Sequence, residues 1–254
     1  MELATLAAGV AAGVAALLAV AFVAVEVAVQ HLPASLETRL LAPFGAWLDV
    51  EDEDDPRGEA LEALLLRLAT HWPGNPYRLR ARIAAGAAPN AYALPGGTVV
   101  VTEALLDAVE SENELAFVLG HELGHLRHRD HLGRLGRGLV LQLALASLVG
   151  AGGPDTLPAL LAALGQAGFD RDQERAADRF AQEILAREYG HVAGADHLFG
   201  RLPDAALPEL GARVASWLST HPLGPERSRA LEEARREAGH APRGMLTPLS
   251  PTLR

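Results

Sequence analysis

The run His121-Glu122-Leu123-Gly124-His125 constrains this chain more than any other feature, because its side chains converge in only one conformation. In a helix, residues four apart lie one above the other, so both imidazoles face one point with the Glu122 carboxylate beside it. The flanking residues agree with a helix. Ser111 and Glu114 have the spacing of a capping box, and Leu115, Val118, Leu119 and Leu126 recur at helical spacing through the run. Gly120 and Gly124 each cost roughly 1 kcal/mol relative to alanine inside a helix, which predicts that another element packs closely there.

Two histidines four apart with an intervening Glu are the spacing of a hydrolytic zinc site, which needs a third protein ligand and one open position for water. Glu174 is the expected third ligand. It follows Asp170 and Gln173, which mark a helix start, and Ala177, Phe180 and Ile184 supply an apolar stripe. Glu174 and Asp178 share a face of that helix. One carboxylate reaches the metal, and the other accepts the free ring N–H of a ligand histidine and fixes its tautomer. The plain alternative is a solvated charged face.

In order along the chain come Asn90-Ala91-Tyr92-Ala93-Leu94-Pro95-Gly96-Gly97, Thr98 to Thr102, Glu114-Leu115-Ala116, His121 to His125, Glu174 with Ala177-Asp178, and Ser219-Thr220-His221-Pro222 with Arg227. Together these blocks resemble the membrane-associated zinc metallopeptidases of the gluzincin type that include HtpX-like heat-shock proteases and the CAAX prenyl proteases. The resemblance covers residues 76 to 232. It implies zinc ligands at His121, His125 and Glu174, a catalytic base at Glu122, and a partner for His121 at Asp178.

With two imidazoles and a carboxylate around it, one zinc ion per chain lowers the pKa of a water toward about 7 and polarises the scissile carbonyl. Glu122 is expected to take the proton of that water and deliver it to the leaving amine. The oxyanion needs a further donor. His221 is the first candidate and Arg227 the second. A different reading of Thr220-His221-Pro222 is a cap for the helix starting near Pro225. His128 and His131 are expected to flank the helix end rather than touch the metal.

Tyr77, Leu79, Ala81 and Ile83 alternate with arginines, a period of two that predicts a strand. Two more strands are expected at Ala91 to Leu94 and Thr98 to Val101, joined by Pro95-Gly96-Gly97 as a hairpin. Val99, Val100 and Val101 are the expected edge along which a substrate strand adds.

From Leu3 to Val25 no charge interrupts an apolar run, long enough to cross a bilayer as a helix. A cleaved signal peptide is the rival, but Met1-Glu2 lacks the positive start of one. Arg39 follows the run and points the bulk of the chain to the cytoplasmic side. Gly9 and Gly13 make a GxxxG pair that alanine-rich composition explains equally well. A second apolar region, Gly138 to Gly168, is broken by Gly152-Gly153-Pro154-Asp155 into arms short for a span. A helical hairpin that covers the site or dips into lipid is expected, in contrast to the full membrane helices of HtpX-like proteins.

The expected architecture is α+β and mainly helical, a zincin-like metallopeptidase domain with a small antiparallel sheet behind one transmembrane helix. The divisions are an anchor over 1–32, a tether over 33–57, the metallopeptidase domain over 58–240 and a flexible tail over 241–254. The formal charge of −10 argues against nucleic acid as a partner. The absence of cysteine excludes thiolate zinc ligands. Two function classes stay open: a single-pass membrane endopeptidase acting on unfolded or membrane-associated proteins in quality control, and a silent zinc-containing chaperone or interaction module. Glu122 favours the first. Oligomeric state is not written in the sequence.

Overall fold

In the computed structural model, which describes residues 2–37, 39, 56–86, 88–149, 170–195, 197–198, 221 and 225–254, the amino-terminal run is one helix, α1 (Glu2–His31). There follow α2 (Pro56–Ala69), β1 (Arg80–Ala84), β2 (Ala91–Leu94), β3 (Thr98–Thr102), α3 (Glu103–Ala108), α4 (Glu112–His128), α5 (Asp130–Val149), α6 (Arg171–Tyr189), α7 (Pro225–Glu237) and a 3-10 turn at Pro251–Leu253. The chain divides into two compact units.

The first unit contains α1 and most of α5. Leu6, Val10, Leu17, Val20, Val23 and Val27 are exposed on α1, and its stretch Ala12–His31 is long and apolar enough to cross a membrane. Leu18, Phe22, Val25 and Val29, three or four apart, form a half-buried face. Val25 packs on Gly136 of α5, and Arg137 Nη1 pairs with Glu26 at 2.8 Å. The first arm of the expected hairpin is therefore helical as far as Val149. Its turn and second arm lie outside the described residues.

The second unit is built on α4. Leu61, Leu64, Leu65 and Leu68 form the buried stripe of α2, at most 3% exposed, and pack with the sheet and α4. Ser111 caps α4 by accepting from Glu114 N at 3.3 Å, while the Glu114 side chain takes the N–H of Glu110 rather than that of the cap. The Asp170 capping box of α6 is complete in both directions. α4 and α6 then cross where a Cβ on Gly124 would lie 2.7 Å from Ala177 Cα and one on Gly120 3.2 Å from Ala181 Cα. Glycine is required at Gly124 for that approach, and the approach brings Glu174 to the histidines.

The sheet departs from expectation in two ways. Its strand order is β1-β3-β2, with β1 parallel to β3 and β2 antiparallel to it, so it is mixed rather than wholly antiparallel. The connection from β1 to β2 passes around the end of β3, where Thr102 Oγ1 donates to Ala88 O and accepts from Asn90 N. Consequently Val99, Val100 and Val101 are the interior of the central strand. Their backbone faces a neighbour on both sides, so they offer no free edge.

The two flanks of the second unit also differ from expectation. Ala241 to Arg254 is docked rather than loose. Thr247 O accepts the N–H of Glu112 at 2.9 Å, satisfying one open donor of the first turn of α4, and Thr247 N bonds Asn113 Oδ1 at 2.8 Å. Leu249 and Leu253 are each 3% exposed and belong to the core. At the other flank the expected tether includes residues 34–37 as a helical turn with Glu37 fully buried, and Pro56 already begins α2. Residues 40–55 lie outside the described residues.

Candidate metal centre

α4 carries His121 and His125 inward, both fully buried, and each ring is oriented by a carboxylate at Nδ1. Asp178 Oδ1 lies 2.9 Å from His121 Nδ1, and Asp130 Oδ2 lies 2.8 Å from His125 Nδ1. With both Nδ1–H groups directed at carboxylates, the Nε2 atoms present lone pairs, and they meet 3.0 Å apart. Glu174 Oε1 stands 3.4 Å from His125 Nε2, and Glu174 Oε2 stands 3.6 Å from His121 Nε2. His221 Nδ1 completes the group, 3.1 Å from His121 Nε2 and 2.8 Å from Glu174 Oε1.

Each of these four side chains offers one donor atom, and the four atoms lie within 4.8 Å of one another. Three imidazole nitrogens and a carboxylate gathered at one buried point are held together either by protons shared between them or by a cation placed among them. Donor atoms of a tetrahedral zinc site are roughly 3.3 Å apart for bonds of about 2.0 to 2.1 Å, so nitrogen and carboxylate donors at these separations fit that ion. Among the described residues neither His128 nor His131 belongs to the group.

The surrounding charges are consistent with cation binding. Burial opposes ionisation of Glu174, yet His121, His125 and His221 hold its carboxyl well below the usual range. Burial likewise disfavours a charged His125, but Asp130 and Glu174 win and push it up to about 9. Burial holds His221 well below an ordinary histidine, against the pull of Glu174.

Glu122 lies beside the group, 1% exposed. Its Oε2 accepts the N–H of Ala93 at 3.0 Å. Among the described residues its Oε1 has no hydrogen-bond partner, and His221 Nε2 is 3.6 Å away. Burial pushes the Glu122 carboxyl up from its ordinary value, against His125 and His121. A buried carboxylate with one fixed oxygen and one idle oxygen is poised to exchange a proton at the idle one.

Arg227, expected as the second oxyanion donor, is engaged otherwise. Its Nε and Nη2 grip both oxygens of Asp178 at 2.9 and 2.7 Å, and its Nη1 lies 2.9 Å from Glu174 Oε2 as an ion pair. The Asp178 carboxyl is held low by Arg227 and His121, although burial works the other way. Arg227 thus ties α7 to the carboxylates of α6. Thr220 and Pro222 lie outside the described residues.

Two features of the site escaped sequence reasoning. Asp130 orients His125 and also accepts from Gln173 Nε2 at 3.0 Å, which links the end of the metal helix to the start of α6. Its signal was an acid five residues past His125, across a chain reversal in which Arg129 adopts φ 60°. The bond from Ala93 to Glu122 had no signal in side-chain pattern, because the donor is backbone.

The comparisons with known proteins agree with this geometry. Residues 57–235 match the model of peptidase family M48. The chain is 34% identical over 149 residues to the mitochondrial metalloendopeptidase OMA1 of Arabidopsis thaliana, covering 57% of this chain and 29% of that protein. It is 34% identical over 197 residues to a protease HtpX homolog of Desulfatibacillum aliphaticivorans, covering 62% and 63%. A putative beta-barrel assembly-enhancing protease of Vibrio cholerae is 29% identical over 171 residues, covering 63% and 34%. The chain thus spans from under a third to just under two thirds of the length of these relatives. With the family match extending over most of the chain and a buried donor group in place for a metal, the chain belongs to peptidase family M48, a family of metallopeptidases.

Proposed function

We propose that the chain is a membrane-anchored, zinc-dependent endopeptidase. The observation that carries the reading is the convergence of donor atoms from His121, His125 and Glu174 beside the idle oxygen of Glu122. These three residues would hold a zinc ion, which when bound would supply an acidified water and a Lewis acid for the scissile carbonyl. Glu122 takes the proton of the attacking water at Oε1, while the Ala93 N–H keeps its other oxygen fixed. The same carboxyl then returns the proton to the leaving amine. Asp178 and Asp130 hold the two histidines in the tautomer that offers Nε2.

His221 Nε2 stands 3.6 Å from Glu122 Oε1, and from there its ring would serve the oxyanion as a donor while His121, His125 and Glu174 would hold the ion. The substrate strand adds to β2 rather than β3. Ala93 turns its N–H away from β3 toward Glu122, so the outer edge of β2 runs directly past the base.

The exposed apolar surface of α1 supports the anchor, and Arg39 favours the cytoplasmic side for the catalytic unit. Unfolded or membrane-associated proteins are the proposed substrates, in keeping with the heat-shock proteases the chain resembles. The test is cleavage of casein by the zinc-loaded protein, with and without chelator, beside Glu122→Gln. Chelator abolishes turnover, and Glu122→Gln lowers it about a thousandfold with metal retained. Equal turnover by the variant removes the proposed base, and absence of turnover by the zinc-loaded wild type returns the chain to a silent zinc module.

A further inference from the structure

The β2–β3 turn is Leu94-Pro95-Gly96-Gly97, closed by Gly97 N donating to Leu94 O at 3.2 Å. Proline at the second position and Gly96 at φ 90° in the third make it a type II turn. The turn's own hydrogen bond leaves the N–H of Gly96 unused. That N–H donates to Glu37 Oε1 at 2.9 Å, and the Tyr77 hydroxyl donates to the other oxygen, Oε2, also at 2.9 Å.

Glu37 is fully buried. A carboxylate loses much of its hydration on burial and is retained only where its oxygens are satisfied. Tyr77 is part of the same clamp, since a Cβ on Gly97 would come 2.8 Å from Tyr77 Cβ, so the turn lies directly against this residue. Burial and Glu37 raise the Tyr77 hydroxyl well above its ordinary value, with Arg129 pulling the other way. Arg129 is the left-handed residue that ends α4, next to the Asp130 that orients His125.

We propose that Glu37 is a positioning residue for substrate, holding the Pro95–Gly97 turn so that the outer edge of β2 meets the substrate strand in register with Glu122. This rests on the reading that β2 receives the substrate. Two residues separate Gly96 from Ala93, whose N–H fixes the base, so looseness at the turn passes straight into the edge. The catalytic unit accordingly begins at Ala34, upstream of the family match, and a fragment starting at Pro56 lacks part of its substrate platform.

The test uses the zinc-loaded full chain in detergent, with Glu37→Ala, Glu37→Gln and Tyr77→Phe. Amide hydrogen exchange over residues 94–98 reads the clamp, and steady-state kinetics on a peptide read its consequence. Glu37→Ala is expected to speed exchange there and to raise KM about fivefold to tenfold with kcat within about twofold. Glu37→Gln keeps an oxygen for Gly96 and offers an N–H to the Tyr77 oxygen, so it stays near wild type. Tyr77→Phe spares the Gly96 bond and shifts KM less than Glu37→Ala. Unchanged exchange in Glu37→Ala overturns the clamp. A fall in kcat at constant KM, or activity lost only in proportion to unfolded protein, overturns positioning and leaves a scaffold residue. A wild-type chain that cleaves no peptide defeats the peptidase reading instead, and the exchange comparison then decides the clamp alone.

Discussion

Helices α1 and α4 invert each other. α1 is apolar on nearly every face and yet exposes Leu6, Val10, Leu17, Val20, Val23 and Val27. α4 carries three histidines and several acids and yet is buried without a break from Asn113 to Leu126. The difference teaches that composition and burial are separate quantities, reconciled by what surrounds a helix. An apolar helix without protein cover calls for lipid, and a buried polar helix calls for partners that satisfy every donor and acceptor.

Arginine placed in each helix should break or sharpen this contrast most. Leu123→Arg puts an unpaired charge in a fully buried position and is expected to prevent folding, read as loss of a cooperative melting transition. Leu17→Arg is expected to leave the melting of the catalytic unit unchanged. It should instead weaken membrane retention, since arginine at mid-bilayer costs about 2.5 to 3.5 kcal/mol on insertion scales, and alkaline extraction would show it. If both variants melt like wild type, α4 is not the buried centre of the fold.

Next in size is the polar lining of α4. Arg227→Met strips the buried Asp178 of its bidentate partner and is expected to cost about 3 to 5 kcal/mol in denaturant unfolding. A loss under about 1 kcal/mol would mean that the pair is solvated in the folded protein. Smaller again is Gly124→Ala, whose added carbon meets the backbone of Ala177. It should cost about 1 to 3 kcal/mol and lower zinc affinity, because α6 must retreat with Glu174 on it.

The same contrast explains what the sequence disclosed. His121 and His125 and the helix starts at Ser111 and Asp170 announce themselves through short-range spacing, because capping and i,i+4 geometry are local, whereas Glu174 was read as the third ligand from its place downstream of the histidines and from the resemblance. Gly120 and Gly124 gave away a close neighbour without naming Ala177 and Ala181. What stayed hidden was non-local or carried by backbone: the order of β1, β3 and β2, the docking of Thr247 on α4, the grip of Ala93 on Glu122, and the burial of Glu37. The hairpin signal at Pro95-Gly96-Gly97 identified β3 as a strand, but an apolar run beside a turn reads the same in a central strand and an edge strand, so the choice of Val99 to Val101 as the edge had nothing to correct it. Three prolines after residue 240 suggested looseness, whereas Leu249 and Leu253 were apolar anchors with no visible target.

The most direct measurement is zinc content per purified chain, for the wild type beside Glu174→Ala and His125→Ala. Two helices that close on one ion predict a single zinc in the wild type and a clear loss in both variants, although Glu174 lies far from the histidine motif in sequence. Full zinc retention in Glu174→Ala, or a wild type that carries none after growth with zinc, would contradict the account.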